Sequence, residues 1–99
     1  MLEYEITKKA DEDIFSAIEY IKNELFNVDA AKKLYDEIFK TIENITIFPD
    51  AYTIISRSKH IYRRAMVFKY KLIYYVEGKT VVVARLYAPR QLVEEESSF

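Results

Sequence analysis

The apolar residues of this 99-residue chain change their spacing once, close to Pro49, and this change is the strongest constraint on its fold. Before the proline they recur every three or four positions, which is typical of amphipathic helices. After Asp50 they alternate or run continuously among β-branched and aromatic residues, which is typical of strands. The chain is therefore expected to be an α+β protein with helices and sheet in separate parts of the sequence.

The helical part contains two apolar stripes. The first covers about residues 8–26, follows the short alternating strand segment Leu2–Ile6, and begins at the capping residue Thr7. The second covers about residues 31–45 and ends before Pro49, which disfavours helix in the residue ahead of it. Because the connection between the two stripes is short, the helices are predicted to form an antiparallel hairpin.

The sheet part contains three strong strand candidates and one weak strand or irregular link. The strong candidates are Ile61–Val67, Tyr70–Val76 and Lys79–Tyr87, and the weak one is Ala51–Ile55. The last two strands meet at Glu77-Gly78, where glycine can take the positive φ of a tight hairpin. The predicted order is β-α-α-β-β-β, with the helix hairpin packed on one face of a mainly antiparallel twisted sheet.

Length and composition predict a single domain over residues 1–91, followed by an acidic C-terminal tail over residues 92–99. The absence of cysteine excludes a disulfide framework and a thiolate metal site. No apolar run reaches the roughly 18–20 residues that span a bilayer, and the N-terminus lacks the pattern of a signal peptide. We therefore expect a cytoplasmic protein that contacts no membrane and uses no metal and no cofactor.

Charge is sorted along the chain. Up to Ser56, six lysines stand against twelve carboxylates, whereas from Arg57 to Gln91 nine lysines and arginines stand against one glutamate. Three further glutamates at 94–96 bring the net charge to −1. A basic block inside an otherwise acidic protein predicts a phosphate-rich or acidic partner. The alternative interpretation is that these cations are the solvated faces of strands.

The candidate site consists of cations on the predicted strands. Strand alternation puts Arg63 and Arg64 on opposite faces. If the strand registers bring the cationic faces together, one concave surface carries Arg64, Lys71, Arg85 and Tyr87, with Arg90 at its rim. Guanidinium groups bind phosphate or carboxylate with fork geometry, and tyrosine can stack on a base or transfer a proton. The alternative is that the tyrosines pack on the core while the cations extend into water.

Other catalytic chemistry has little support in the sequence. His60, the single histidine, is interpreted as a surface loop residue rather than a catalytic base. The acids at positions 11–13 are interpreted as a solvated outer helix face rather than a metal site, because they point around the helix instead of converging. No cysteine or glycine-flanked serine can serve as a nucleophile, and Gly78 alone cannot form a glycine-rich phosphate loop.

Several segments, taken together in their order along the chain, match the pattern of a known family, although no single one is specific. The segments are Ala10-Asp11-Glu12-Asp13-Ile14, Ala30-Ala31, Ile47-Phe48-Pro49, Tyr62-Arg63-Arg64, Tyr70-Lys71-Leu72-Ile73-Tyr74, Val81-Val82-Val83-Ala84-Arg85 and Arg90-Gln91. Over about residues 4–91 the chain resembles the RelE/ParE superfamily of toxins from bacterial type II toxin–antitoxin systems. Its long helix hairpin looks more ParE-like than RelE-like.

The resemblance implies a growth-inhibiting toxin that is neutralised by a cognate antitoxin with an acidic C-terminal segment. The implied assembly is a homodimer or a heterotetramer with the antitoxin. ParE-like members inhibit DNA gyrase without catalysis, and this function is favoured here. The expected target- or antitoxin-binding residues are Arg63, Arg64, Lys71, Arg85, Tyr87 and Arg90.

The alternative implied by the same resemblance is a RelE-like endoribonuclease that cleaves mRNA on the ribosome. Its catalytic candidates are Arg64, Lys71, Arg85 and Tyr87. The cations would stabilise a developing phosphorane, and Tyr87 would act as general base or acid. The sequence leaves open whether the protein is an enzyme. The segment Tyr87-Ala88-Pro89-Arg90-Gln91 departs from the family pattern through its proline.

Overall fold

The computed structural model describes residues 1–91, and the predicted tail over residues 92–99 lies outside them. The elements are β1 (Glu3–Ile6), α1 (Lys8–Glu19), a π-helical turn (Tyr20–Glu24), α2 (Val28–Ile47), β2 (Thr53–Arg57), β3 (Ile61–Val67), β4 (Tyr70–Glu77) and β5 (Thr80–Tyr87). The predicted α+β class is confirmed, with two helices packed on a mostly antiparallel sheet. The weak strand candidate forms β2, two residues later than the sequence suggested.

The five strands form one sheet in the order β1-β5-β4-β3-β2. Consecutive strands from β2 to β5 pair antiparallel, whereas β1 pairs parallel with β5. The register between β4 and β5 shifts after Ile73↔Arg85, so that Tyr74 pairs with Val83 and Ala84 is an extra residue. Such a bulge keeps two successive side chains on one side of the strand and redirects the strand beyond it.

The first helix is shorter than its apolar stripe predicts. Thr7 caps it, since the hydroxyl oxygen accepts the Ala10 N–H at 3.1 Å and the hydroxyl donates to the Ala84 carbonyl at 3.0 Å. The α-helix ends at Glu19 and continues as the π-helical turn, where Leu25 donates its N–H to the Tyr20 carbonyl at 3.2 Å. The apolar spacing continues through this turn, which is why the sequence extended the helix to about residue 26.

The sheet is apolar on both faces, and the helices cover one of them. The main core between helices and sheet contains Ala10, Ile14, Leu34, Ile38, Ile42, Ile45, Ala65, Val67, Leu72, Tyr74, Val81, Val83 and Leu86. We call the opposite side the open face; strand register and alternation place on it Tyr62, Arg64, Met66, Lys71, Ile73, Tyr75, Ala84, Arg85 and Tyr87. The open face has a small buried cluster of its own, formed by Tyr62, Ile73, Ala84 and Tyr87.

Tyr74 links the central strand to the end of the helix hairpin. Its ring is fully buried and its hydroxyl donates to the Pro49 carbonyl. Burial raises the pKa of Tyr74 far above the usual tyrosine range, and the nearby Arg63 opposes this shift more weakly. Tyr74 therefore stays protonated in the folded protein at pH values where a tyrosine of the unfolded chain ionises.

We predict that Tyr74→Phe costs about 1 kcal/mol at neutral pH, the usual value of a lost hydrogen bond. Above about pH 10 the unfolded chain releases the Tyr74 proton and the folded protein does not, so wild-type stability falls as pH rises. The difference in free energy of unfolding between variant and wild type, measured by urea unfolding, should therefore be smaller near pH 10.5 than at neutral pH. Tyr4→Phe, at a residue 45% exposed, is the control. A gap that stays constant with pH would contradict this account.

Candidate binding site on the open face

The strand registers bring the predicted cations together in two adjacent rows. The first row across β3, β4 and β5 is Arg64, Ile73 and Arg85, and the next is Met66, Lys71 and Tyr87. Because neighbouring strands lie roughly 5 Å apart, Arg64 and Arg85 flank Ile73 within about 10 Å of each other. The structure thus places Arg64, Lys71, Arg85 and Tyr87 on one surface, and their roles there stay a prediction.

Arg85 is held by a carboxylate from the first helix. Its Nε donates to Asp13 Oδ2 at 2.7 Å and its Nη2 donates to Oδ1 at 3.2 Å. Asp13 Oδ2 also accepts the Leu86 N–H at 3.0 Å. The pair is largely shielded, with side-chain exposures of 14% and 19%. Fork-shaped charge-assisted bonding of this kind fixes the guanidinium and offsets its charge.

The interpretation of residues 11–13 as a solvated acidic face is therefore wrong for Asp13. A signal was present in the sequence, because Asp13 lies three positions after Ala10 and one before Ile14, both of which are buried. That spacing puts Asp13 on the flank of the apolar stripe rather than on the outer face. The partner of Asp13 is 72 residues away and could not be identified from local pattern.

Lys71 holds the chain that follows the last strand. Its Nζ donates to the carbonyls of Ala88 at 3.4 Å, Pro89 at 3.2 Å and Gln91 at 2.8 Å. The Gln91 side chain closes this turn, since its Oε1 accepts the Ala88 N–H at 3.1 Å. Carbonyl groups orient an ammonium group but do not neutralise it. Within residues 1–91, no carboxylate pairs with Lys71.

Arg64 is the most available guanidinium group of the first row. The side chain is half-buried, and its Nε is buried without a hydrogen-bond partner among the residues that the structure describes. A buried donor without a partner is costly, because it has given up water and gained nothing in return. Within residues 1–91 Arg64 also has no carboxylate partner, so an acidic ligand could offset its charge.

The Tyr87 side chain is packed inside the fold and is not exposed to solvent. Its side chain is fully buried in the open-face cluster, and the Arg85 guanidinium carbon lies 4.9 Å from the centre of its ring. The sequence left two interpretations of this tyrosine, proton transfer or packing, and its burial favours packing. In this conformation Tyr87 supports the floor of the surface beneath Lys71 and Arg85.

Arg63 and Arg90 lie apart from these rows. Arg63 is on the helix side of β3, where it donates to the carbonyls of Asp50 at 3.1 Å and Tyr52 at 2.8 Å. Its Nη2 also lies 3.6 Å from the Asp50 carboxylate. Arg90 is exposed in the turn after β5, at the edge of a separate groove. The structure therefore separates these two arginines from the shared surface.

That groove was not predicted from the sequence. It has a volume of about 450 Å³ and is lined by Tyr20, Leu25, Tyr70, Ala88, Pro89 and Arg90. The π-helical turn forms one wall and the start of β4 the other. Burial raises the pKa of Tyr70, and the neighbouring Tyr20 adds to the shift.

His60 lies in the loop between β2 and β3, as the sequence suggested, and is partly buried by aromatic contacts. Its ring stacks on Tyr75 with centres 3.9 Å apart and planes at 14°, and it meets the edge of Tyr62 at 5.8 Å. Burial is the main cause that raises the pKa of Tyr75, and the nearby negative charges of Glu77 and Glu5 raise it further. Stacked rings close one end of the open face, where the sequence suggested only a solvated turn.

Comparison with known proteins identifies relatives of this chain. A family model described as the ParE toxin of the type II toxin–antitoxin system parDE matches residues 4–92. A chain from the chromosomal ParDE toxin–antitoxin system of P. aeruginosa has a similar fold, with a TM-score of 0.72 and 17% sequence identity. The match covers 88% of this chain and 95% of that one. No curated protein sequence matches significantly. Within residues 1–91, no helix is long and apolar enough to cross a membrane.

We predict that Asp13→Asn lowers the free energy of unfolding by about 2 kcal/mol, because it removes the carboxylate that bonds the shielded Arg85 guanidinium. The cost stays below that of a fully buried pair because both side chains keep some exposure. Asp11→Asn, at an exposed position of the same helix, is the control and should change stability little. Urea unfolding measures both. In a double-mutant cycle with Arg85→Gln, strictly additive losses would contradict the pairing.

Proposed function

Because this chain belongs to the ParE toxin family of type II toxin–antitoxin systems, we propose that it is a non-enzymatic inhibitor of DNA gyrase, neutralised by a cognate antitoxin. The predicted ParE-like membership is thus confirmed, and the target and the neutralisation are our proposal. Gyrase and antitoxin are cytoplasmic in bacteria, so we propose that the protein acts there. The open face is the proposed docking surface for the acidic C-terminal segment of the antitoxin.

The observation that carries the docking proposal is the row Arg64–Ile73–Arg85 with Lys71 beside it. Cations over a fully buried apolar layer suit a peptide that carries acidic side chains. Arg64 and Lys71 have no carboxylate partner among the described residues, so an incoming carboxylate would offset charges that those residues leave uncompensated. A disordered acidic segment would become ordered as it docks.

Two features support inhibition by binding over ribonuclease activity. General acid–base catalysis by Tyr87 requires its hydroxyl to reach the RNA, and this side chain is fully buried. Phosphorane stabilisation by Arg85 requires a guanidinium that is free to bind phosphate, and Asp13 already occupies its fork. Both groups are engaged in holding the fold together. A protein that inhibits by binding needs no exposed proton donor.

The first test compares the two activities in parallel. We expect the purified protein to inhibit gyrase supercoiling and to leave translated mRNA uncut in primer extension. Tyr87→Phe keeps the ring and removes the hydroxyl, so gyrase inhibition should change by less than about twofold. A ribonuclease that depends on this hydroxyl would lose about 100-fold or more. Codon-linked cuts that disappear in Tyr87→Phe would overturn the proposal.

The second test concerns the antitoxin. We expect Arg64→Ala to weaken binding of the antitoxin's acidic segment by about tenfold or more, because a carboxylate loses its fork-shaped partner. Arg64→Lys keeps the positive charge but not the fork-shaped guanidinium group. Its affinity for the acidic segment should therefore lie between those of the alanine variant and wild type. Lys40→Ala, at an exposed position of α2, is the charge-matched control. Calorimetric titration at two salt concentrations measures these differences. Equal losses at positions 40 and 64 would show that net charge, rather than the site, governs binding.

A further inference from the structure

We propose that the groove beside the π-helical turn is a docking site for a segment of a partner protein that carries both apolar and acidic side chains. Two exposed phenylalanines, Phe26 and Phe68, lie in the turns next to its two walls and contact the same segment. The groove shares no lining residue with the two cationic rows of the open face. This site is therefore additional to the surface proposed for the antitoxin and does not depend on the proposed function.

The backbone at Phe26 is the first support. Asn27 donates its N–H to the Ile21 carbonyl at 3.1 Å, a bond that spans the last turn of the helical segment. Phe26 lies inside this closing turn, directly after the groove residue Leu25, and has a φ of 51°. Glycine is the usual residue at this left-handed position, because it has no Cβ. A bulky phenylalanine there is strained, and this one is also 88% exposed.

Phe68 shows the same departure beside the other wall. The β3–β4 and β4–β5 hairpins each have a two-residue turn, Phe68-Lys69 and Gly78-Lys79. The first residue of each turn has a positive φ, 53° at Phe68 and 62° at Gly78. Glycine is favoured at such a position, and the β4–β5 turn has it. The β3–β4 turn, which leads into the groove residue Tyr70, instead has a phenylalanine that is 61% exposed.

The stability of the fold does not explain these two residues. Within residues 1–91 neither phenylalanine belongs to a buried cluster, and glycine or a polar residue would fit either turn with less strain. Positions at which a sequence contradicts its own local structure are expected at functional sites. The π-helical turn Tyr20–Glu24 is a third irregularity beside the same groove, and such turns are frequent at functional sites.

The charges around the groove indicate the chemistry of the partner. Arg90 lines the groove, Lys69 lies in the β3–β4 turn and Lys22 lies in the π-helical turn, and all three are exposed. Glu24 is the one carboxylate of the π-helical turn. Within residues 1–91 none of these four side chains forms an ion pair. The excess of positive charge favours an acidic segment, and the apolar walls favour apolar side chains on it.

The two phenylalanines favour a protein segment over a small molecule. The groove volume of about 450 Å³ lies in the range of small-ligand sites. Phe26 and Phe68 extend the apolar surface beyond the groove on both sides, however, and a small ligand inside the groove would leave them uncovered. A protein segment that crosses the groove covers both. Aromatic side chains are enriched as anchors in protein interfaces of this kind.

The experiment titrates the full chain with the peptide acetyl-Glu-Leu-Phe-Leu-Glu-amide and follows side-chain resonances by NMR. We expect saturable shifts at Leu25 and Tyr70. One control peptide has lysine in place of glutamate, and the other has Ser-Gly-Ser in place of Leu-Phe-Leu. Each control should bind about fivefold or more weakly, because the first loses charge complementarity and the second loses apolar contact. Shifts confined to the open face, for example at Met66, would overturn this site and leave the antitoxin proposal standing.

The variants Phe26→Gly and Phe68→Gly separate binding from stability. Each should keep or raise the midpoint of urea unfolding, because glycine adopts a positive φ without strain. Each should nevertheless weaken binding of the acidic apolar peptide by about threefold or more, because an aromatic contact is lost. Phe48→Gly is the control, since Phe48 is 63% exposed, has a φ of −127° and follows the far end of α2, roughly 30 Å from the start of that helix. It should leave binding unchanged.

Arg90→Gln removes the cation that lines the groove. It should reduce the preference for the glutamate peptide over the lysine peptide by about threefold or more. Unchanged affinity in both glycine variants would overturn the proposal, as would tighter binding of the lysine peptide. Self-association of the free chain that Phe26→Gly abolishes in sedimentation would also overturn it, because a second copy would then occupy the groove. No measurement here uses gyrase or antitoxin, so failure of this proposal is distinct from failure of the proposed function.

Discussion

The contact between Asp13 and the end of β5 holds the two layers of this protein in one arrangement. β1 pairs with β5 only as far as Ile6↔Val83, and beyond that point no strand among residues 1–91 lies beside this edge of β5. The start of the first helix bonds this edge instead, since the Thr7 hydroxyl donates to the Ala84 carbonyl and Asp13 accepts the Leu86 N–H. The polar groups of this edge are thus satisfied by a helix instead of a strand, as buried backbone groups require.

The cations of the sheet differ in whether a carboxylate of the described chain pairs with them. Arg85, bonded to Asp13, and Arg63, bonded to the loop at Asp50, belong to the framework of the fold. Arg64 and Lys71 have no carboxylate partner in the described part of the chain, so they are the charges with which the open face can attract a ligand. The number of basic residues in the sequence overstates the number available to a ligand, because Arg63, Arg85 and Lys71 already hold parts of the chain in place.

The open face contains a small core of its own and is also the docking surface in our proposal. Its cluster of Tyr62, Ile73, Ala84 and Tyr87 is buried although no helix covers it. Side chains such as arginine and lysine lay their aliphatic stems over apolar neighbours while their charged ends point outwards, which makes such a thin layer stable. In our proposal, a ligand on this side meets the cations that cover this layer rather than the layer itself, because Ile73 and Tyr87 are fully buried.

The sequence by itself determined the kinds of element, their order, the helix hairpin and which residues of each strand share a face, because these follow from periodicity within a few residues. For Arg64, Lys71, Arg85 and Tyr87 the sequence predicted one shared surface only on the condition that the strand registers bring them together. Only the tertiary structure decided the bulge at Ala84, the capture of Arg85 by Asp13, the stacking of His60 on Tyr75 and the groove beside the π-helical turn. Each of these joins segments that are distant in the chain, and their register is set by how the layers pack rather than by any local pattern.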